Sequence, residues 1–267
     1  MQTTSPSSSR SLSIVQRVMR HWLTIFLVGY GIFNALPFAA PVFMRLGWSG
    51  PADAIYTGYS LLCHQMAQRS FFLFGDRLMY TPDELPLALT GSTGTDTLLL
   101  RNFRGSEALG WKVAWSDRMV SLYGGVWLAG LVYWAVARVR TVKPLPIGVF
   151  VLLLLPLAID GGTHMLSDSL GGLTAGFRYH NDWLAALTGH KLPVTFYSGD
   201  ALGSFNSMMR LLTGVLAAAG AVWLAFPLID QSARKTVERI DRVAELRRAA
   251  FLQPGHANPG SRDRGRI

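Results

Sequence analysis

The sequence predicts an all-α integral membrane protein, a four-transmembrane-helix bundle with an outer amphipathic or re-entrant helix and long extracytoplasmic loops. Of the 267 residues, 50% are hydrophobic and only 15% are charged, whereas a soluble domain carries about 25% charged residues. Four apolar runs reach about 20 residues, the length that a helix needs to cross a bilayer. The single cysteine, Cys63, excludes a disulfide or a multi-cysteine metal site within one chain.

The apolar runs define a membrane domain predicted over residues 21–229. Trp22 and Trp48 bracket the first run, as expected for anchors at the membrane interface. This run is longer than the apolar core of about 7 to 15 residues in a cleaved signal peptide, so we expect a retained signal-anchor. The spans are predicted at about 23–44, 119–137, 145–166 and 206–229, joined by outer loops at 45–118 and 167–205.

Residues 54–75, in the first outer loop, form a further apolar stretch. It contains His64, Gln65 and Arg69, and a fifth span there would move the basic connection at 138–143 to the outside. The stretch is therefore predicted to be an amphipathic helix around Cys63 to Phe74, lying on or dipping into the outer surface.

The basic residues predict the orientation. Short segments rich in Lys and Arg stay on the cytoplasmic side, and such segments occur at the amino terminus, at 138–143 and after Ile229. With four spans, both termini of this multi-pass plasma-membrane protein lie in the cytoplasm. Of the 25 Lys and Arg residues, 15 then lie in cytoplasmic segments, so the positive charge indicates orientation in the lipid bilayer, and no nucleic-acid partner is expected. We predict a disordered basic amino terminus at 1–20, a cytoplasmic amphipathic helix at 230–252 and a disordered basic tail at 253–267.

A pair of ionisable residues near the outer end of the third span could serve a metal ion. Asp160 and His164 are four residues apart, so both project from one helical face. That spacing suits metal coordination, or a carboxylate that orients an imidazole. Together with His64 they form a candidate site for a divalent metal or for acid–base chemistry. A structural hydrogen bond at the helix end is the alternative.

Three arginines are predicted to approach the same outer layer. Arg69, Arg118 and Arg210 could form a clamp for an anionic group such as a lipid phosphate, because guanidinium groups bind such oxygens bidentately. Alternatively, they pair with Asp117 and Asp160, because unpaired charges in lipid are costly.

The remaining polar residues give weaker signals. Cys63 and His64 are adjacent, but neighbouring residues on a helix point in different directions, which argues against a catalytic dyad. Asn206 and Arg210 belong to a polar stripe on the fourth span. Asp200 is flanked by residues typical of ordinary loop surface.

Three separated motifs then fall in order along the chain. They are Cys63-His64-Gln65 with Arg69-Ser70, Asp160-Gly161 with Thr163-His164, and Asn206 with Arg210. In combination, over roughly residues 61–226, they resemble the prokaryotic predicted multi-pass membrane proteins called domain of unknown function 2085. The chain departs from that pattern at Ser116-Asp117, where many members have cysteine before the arginine, and at His164, where they have glutamine. The resemblance implies a prokaryotic plasma-membrane protein and supplies no reaction.

Two functional interpretations stay open. In the first, the polar cluster is a metal, anion or lipid-headgroup site near the outer leaflet. In the second, the cluster is purely structural, and the protein is an accessory or scaffolding subunit that binds a membrane-protein partner or a second copy of itself. No phosphate-binding loop or catalytic motif decides whether the chain is an enzyme. The cluster comprises Cys63, His64, Gln65, Arg69, Ser70, Asp117, Arg118, Asp160, Thr163, His164, Asn206 and Arg210.

Overall fold

The computed structural model describes residues 14–252, so the disorder predicted for 1–13 and for 253–267 falls outside the described residues. Residues 14–20 are helical, so the prediction of disorder there is wrong. In chain order the elements are α1 (Trp22–Arg45), α2 (Ser49–Tyr59), a 3-10 turn (Ala67–Arg69), β1 (Ser70–Leu73), a second 3-10 turn (Pro82–Glu84), α3 (Thr93–Asn102), β2 (Gly105–Ser106), β3 (Gly110–Ser116), α4 (Asp117–Ala137), α5 (Ile147–Gly171), α6 (Phe177–His180), α7 (Asp182–Leu187), α8 (Val194–Tyr197) and α9 (Phe205–Leu252).

Among the described residues, α1, α4, α5 and α9 are the helices long and apolar enough to cross a membrane. This confirms the prediction of an all-α membrane protein with four candidate spans. The helix predicted over 230–252 is continuous with the fourth span, because α9 runs without a break from Phe205 to Leu252.

The chain divides into two compact units, one of them Phe26–Leu228 and the other made of Met1–Ile25 with Ile229–Ile267. In the described part of the second unit, Arg20 and Gln16 both donate hydrogen bonds to Asp241, and the Arg20 Nη2 to Asp241 Oδ2 distance is 2.9 Å. These contacts join its amino-terminal helical segment to the carboxyl-terminal half of α9.

Small residues let the candidate spans of the larger unit approach closely. A Cβ added at Gly214 on α9 would clash with Ser121 Oγ on α4, and one at Gly125 would lie 2.9 Å from Ala218 Cβ. Close packing through small residues is typical of helices in membranes, where apolar side chains gain nothing by leaving lipid.

A small antiparallel sheet of order β1-β3-β2 forms within the long connection between α1 and α4. Trp115 on β3 is fully buried and stacks on Tyr123 of α4, with ring centroids 4.8 Å apart. The outer helix predicted around Cys63 to Phe74 is not formed, because these residues make a turn, the 3-10 turn and β1. The positive φ of Gln65 (53°) and the pairing of β1 with β3 are incompatible with a continuous helix there.

A buried lysine holds the parts of this connection together. Lys112 on β3 is fully buried, and its Nζ donates hydrogen bonds to the carbonyl groups of Gln65 at 2.7 Å and Arg101 at 2.6 Å. Burial lowers the pKa of Lys112 to about 7. The side chain thereby ties the end of α3 to the turn that precedes Arg69.

Candidate functional site

Charged side chains from several segments meet in one layer of the larger unit, which we call the polar layer. Its members come from the 3-10 turn after α2, the first turn of α4, the last turns of α5, the connection between α5 and α9, and the second turn of α9. They are Arg69, Arg118, Arg178 and Arg210 with Asp117, Asp160, Asp168 and Asp200.

Two arginines and three aspartates form one network. Arg69 binds Asp168 bidentately at 2.8 and 3.0 Å and donates from Nε to Asp200 at 2.8 Å. Arg210 donates from Nη1 to the other oxygen of Asp200 at 2.6 Å. From Nε it also donates to Asp117 at 2.8 and 2.9 Å. Asp200 is therefore held between two guanidinium groups and is only 1% exposed.

The pKa values outside the candidate spans follow from this pairing. Although burial opposes the shift, Arg69 and Arg210 hold the pKa of Asp200 well below its usual range. Burial also opposes the charge of Arg69, but Asp200 and Asp168 raise the pKa of that guanidinium. Both groups are therefore charged at neutral pH.

The second network has the opposite balance of charge. Arg118 Nη2 and Arg178 Nη2 each donate to Asp160 at 2.7 Å, one to each carboxylate oxygen. Arg178 Nη2 also lies 3.2 Å from His164 Nε2 and 3.2 Å from Asn206 Oδ1. Two guanidinium groups thus share one carboxylate, which leaves a positive charge that this network does not neutralise.

A cavity of about 340 Å³ opens beside both networks. Ligand pockets measure about 300 to 1,000 Å³, so it is large enough for a small group. The residues that give it charge and hydrogen-bonding capacity are His64, Arg69, Arg118, His164, Asp168 and Arg210. The structure therefore places the three predicted clamp arginines and the two predicted histidines around one space.

Arg118 is the arginine of this cavity whose hydrogen-bonding capacity is least used. Among the described residues, its guanidinium group makes one hydrogen bond, from Nη2 to Asp160, and its buried Nε has no partner. A guanidinium group carries five N–H donors. By contrast, Arg69 and Arg210 each donate from all three nitrogens.

The two histidines of the cavity have defined hydrogen-bonding roles. His64 Nδ1 accepts a hydrogen bond from the backbone N–H of Met66 at 3.2 Å, which leaves the ring proton on Nε2. His64 is an exposed residue and lines the cavity. The protein around its ring nevertheless removes much of the water that would stabilise a charged imidazole. That desolvation, with Arg69 and Arg210, lowers the pKa of His64, so it is neutral at neutral pH. His164 Nε2 faces the Arg178 donor, which requires its proton on Nδ1.

The predicted metal site at His64, Asp160 and His164 is not assembled. Within residues 14–252, no three His, Cys, Asp or Glu side chains are grouped so that they could hold a metal ion. Asp160 instead accepts hydrogen bonds from Arg118 and Arg178. Two guanidinium groups on one carboxylate satisfy it as a metal ion would, and their charge repels a cation.

The other predicted cluster residues hold the backbone around the site. Cys63 Sγ accepts hydrogen bonds from the backbone N–H groups of Gln65 and Ser116, both at 3.3 Å. Its partners are thus backbone groups and the Ser116 hydroxyl. The Ser70 hydroxyl donates to a backbone carbonyl at 2.9 Å. Cys63, Gln65 and Ser70 are not among the residues that line the cavity.

Two further predicted residues serve Arg178. Thr163 Oγ1 accepts a hydrogen bond from Arg178 Nη1 at 3.2 Å. Asn206 Nδ2 donates to the Arg178 carbonyl at 2.6 Å and to the Gly199 carbonyl at 2.9 Å. Asn206 therefore fixes the connection between α5 and α9 to the start of α9.

Sequence reasoning missed Asp168 and Arg178 and misjudged Asp200. Asp168 follows Asp160 and His164 at the same four-residue spacing, a signal that could have identified it. The interpretation of Asp200 as ordinary loop surface is wrong, because it is buried between two arginines. Arg178 lies in the four-residue helix α6 and Asp200 in an irregular connection, and neither segment is long enough to show a periodicity that marks a residue as buried.

Comparison with known proteins finds one matching family model and one similar protein. Residues 102–224 match the family model described as "Predicted membrane protein (DUF2085)". An uncharacterised protein of Methanocaldococcus jannaschii is 27% identical over 187 residues, which cover 67% of this chain and 91% of that protein. No solved structure was found to match the chain. The match over residues 102–224 confirms the resemblance seen in the sequence motifs.

Proposed function

We propose that this membrane protein binds an oxyanion group in the cavity beside Arg118. The group is a phosphate or a carboxylate, whose oxygens match the planar donors of a guanidinium. The unused donors of Arg118 support the proposal most directly. The Nη1 group of Arg118 also makes no hydrogen bond among the described residues, and a hydrogen bond from it to an oxyanion would contribute about 1.5 to 3 kcal/mol.

The charge balance around Arg118 also supports an anionic ligand. Arg118 shares Asp160 with Arg178, so the pair keeps one positive charge in excess. The network of Arg69 and Arg210 with three aspartates carries one negative charge in excess, so the polar layer as a whole is balanced and the positive excess is local to Arg118 and Arg178. A bound anion would neutralise that local excess.

The histidines add donors without adding charge. A neutral His64 offers its Nε2–H, and a neutral His164 offers its Nδ1–H. Two neutral donors beside a guanidinium suit an oxyanion with several oxygens. They leave the charge of the site to the arginines, so the charge of the site stays constant between pH 6 and 8, and a pH dependence of binding there comes from the second ionisation of the phosphate, at about pH 6.

The site is proposed to lie near the outer leaflet of the plasma membrane. The cytoplasmic assignment of the basic segments at 138–143 and after Ile229 supports this orientation. The outer ends of α4, α5 and α9 then carry Arg118, His164 and Arg210.

The test is a calorimetric titration of the purified full chain in a nonionic detergent. The probes are inorganic phosphate, glycerol 3-phosphate and dihexanoyl phosphatidic acid. Arg118→Gln is expected to weaken binding roughly ten- to hundredfold, since a hydrogen bond to a charged group contributes about 1.5 to 3 kcal/mol. Arg118→Lys, which keeps the charge but loses the planar fork, should fall between.

The matched control is Arg77→Gln, which removes a positive charge from an exposed arginine paired with Glu84 outside the cavity. It should bind the probes as the original chain does. If no probe distinguishes the original chain from a folded Arg118→Gln variant, the proposal is wrong, and the polar layer is the structural network of the second interpretation.

A further inference from the structure

The cavity borders an apolar surface of α5. Met165 lines the cavity and is 70% exposed. Val151 and Leu154 are also exposed, and their spacings of 14 and 11 residues from Met165 put them on the same helical face as that residue. Because α5 is a candidate span, side chains exposed on it face lipid. The wall of the cavity therefore continues into a surface that acyl chains cover.

Two glycines leave the passage between cavity and lipid open. A Cβ added at Gly162 would meet no atom within 4 Å, so the helix surface there is bare. A Cβ at Gly161 would lie 2.9 Å from Arg118 Nη1, so the guanidinium rests directly on the helix. Arg118 thereby comes next to the lipid-facing side of α5.

The size of the cavity matches part of a lipid. Its volume of about 340 Å³ is at the small end of the range for ligand pockets, about 300 to 1,000 Å³. It is large enough for a headgroup, and acyl chains would have to lie outside it. Thr93, Thr97 and Ser169 also line the cavity. Their hydroxyl groups donate to backbone carbonyls and can accept hydrogen bonds from the polar part of a headgroup.

Resting on the proposed function, we infer that the oxyanion is the phosphate monoester of a membrane lipid. The phosphate binds at Arg118, and the acyl chains lie along the exposed face of α5 from Val151 to Met165. A free phosphate monoester has the same chemistry at Arg118 but leaves that face of α5 without a role in binding.

The three probes of the titration separate these sources, because they share a phosphate and differ in what it carries. Dihexanoyl phosphatidic acid should bind at least tenfold more tightly than glycerol 3-phosphate, with inorganic phosphate no tighter than the latter. The double variant Met165→Ser with Leu154→Ser should remove that tenfold gain. Leu128→Ser, which changes an exposed leucine on α4 away from the cavity, should keep it.

The outcomes separate the lipid inference from the proposed oxyanion site. Equal binding of all three probes, lost in Arg118→Gln, overturns the lipid inference and leaves the oxyanion site in place. A chain-dependent gain that Arg118→Gln does not affect overturns both, because it reports only apolar adsorption. A chain-dependent gain that both Arg118→Gln and the serine double variant remove supports both.

Discussion

Asp200→Asn is expected to destabilise the protein by about 3 to 5 kcal/mol, the usual cost of removing one partner from a buried ion pair. Asp200 accepts charge-assisted hydrogen bonds from Arg69 Nε at 2.8 Å and Arg210 Nη1 at 2.6 Å. At about 1.5 to 3 kcal/mol for each such bond, the two give a total of about 3 to 6 kcal/mol, which agrees with that cost. An asparagine has one side-chain oxygen in place of two, and its NH2 group would face a guanidinium donor. One of the two arginines therefore loses its hydrogen-bond acceptor at this side chain.

The loss is measurable as the free energy of unfolding in detergent micelles, by titration with sodium dodecyl sulfate. The matched control is Asp83→Asn, because Asp83 is exposed in the 3-10 turn Pro82–Glu84. A surface substitution of this kind changes stability by about 0.5 kcal/mol or less. If Asp200→Asn were as stable as Asp83→Asn, Asp200 would not join the two arginines in the folded protein.

The stability difference between the original chain and Asp200→Asn is expected to depend on pH. Because Arg69 and Arg210 hold the pKa of Asp200 below its usual range, although burial opposes the shift, its charge stabilises the folded state most above the pKa of an unfolded aspartate. That stabilisation is lost as the pH falls through the lower folded pKa. The stability difference between the original chain and Asp200→Asn should therefore be constant near neutral pH and shrink in acid. A difference that stays constant into strong acid would contradict the assignment of a charged Asp200.

Three further substitutions test other parts of the structure. Lys112→Met should cost about 2 to 6 kcal/mol in chemical unfolding, because at least two buried carbonyl groups lose their donor at about 1 to 3 kcal/mol each; a neutral effect would contradict the buried contacts of Lys112. Gly161→Ala puts a methyl group 2.9 Å from Arg118 Nη1 and should weaken phosphate binding severalfold by calorimetry, whereas Gly162→Ala, with open space around it, should not. Gly214→Ala would clash with a side chain of α4 and should lower stability by about 1 to 3 kcal/mol; an unchanged melting temperature would show that α4 and α9 are not in close contact there.

The candidate spans could be predicted from the sequence because lipid imposes a simple rule. A helix must satisfy its own backbone and present about 20 apolar residues, so 23–44 and 119–137 differ from α1 and α4 by at most two residues at either end. The helix of the third candidate span, α5, continues past the predicted span end at residue 166 to Gly171. Asp160 on this helix is paired with Arg118 and Arg178.

The candidate site was only partly predictable, because its geometry depends on contacts between distant segments. Residues on spans, such as Arg118 and Arg210, could be identified by their depth. Arg178 and Asp200 could not, since a four-residue helix and an irregular loop show no period that indicates which side chains turn inward. Asn206 binds the backbone carbonyl groups of Arg178 and of Gly199, next to Asp200, and no local sequence pattern predicts such a contact.

The ion pairs of the polar layer also have a consequence for how the chain is made. Asp117 and its partner Arg210 are 93 residues apart, and synthesis proceeds from the amino terminus. Asp117 therefore leaves the ribosome and reaches the membrane long before Arg210 exists, and Asp200 also precedes this partner. Asp160, Asp168 and Asp200 have arginine partners that precede α9, but Asp117 lacks its arginine until the last candidate span is inserted. Insertion of α9 is therefore the step that completes the network around Asp117.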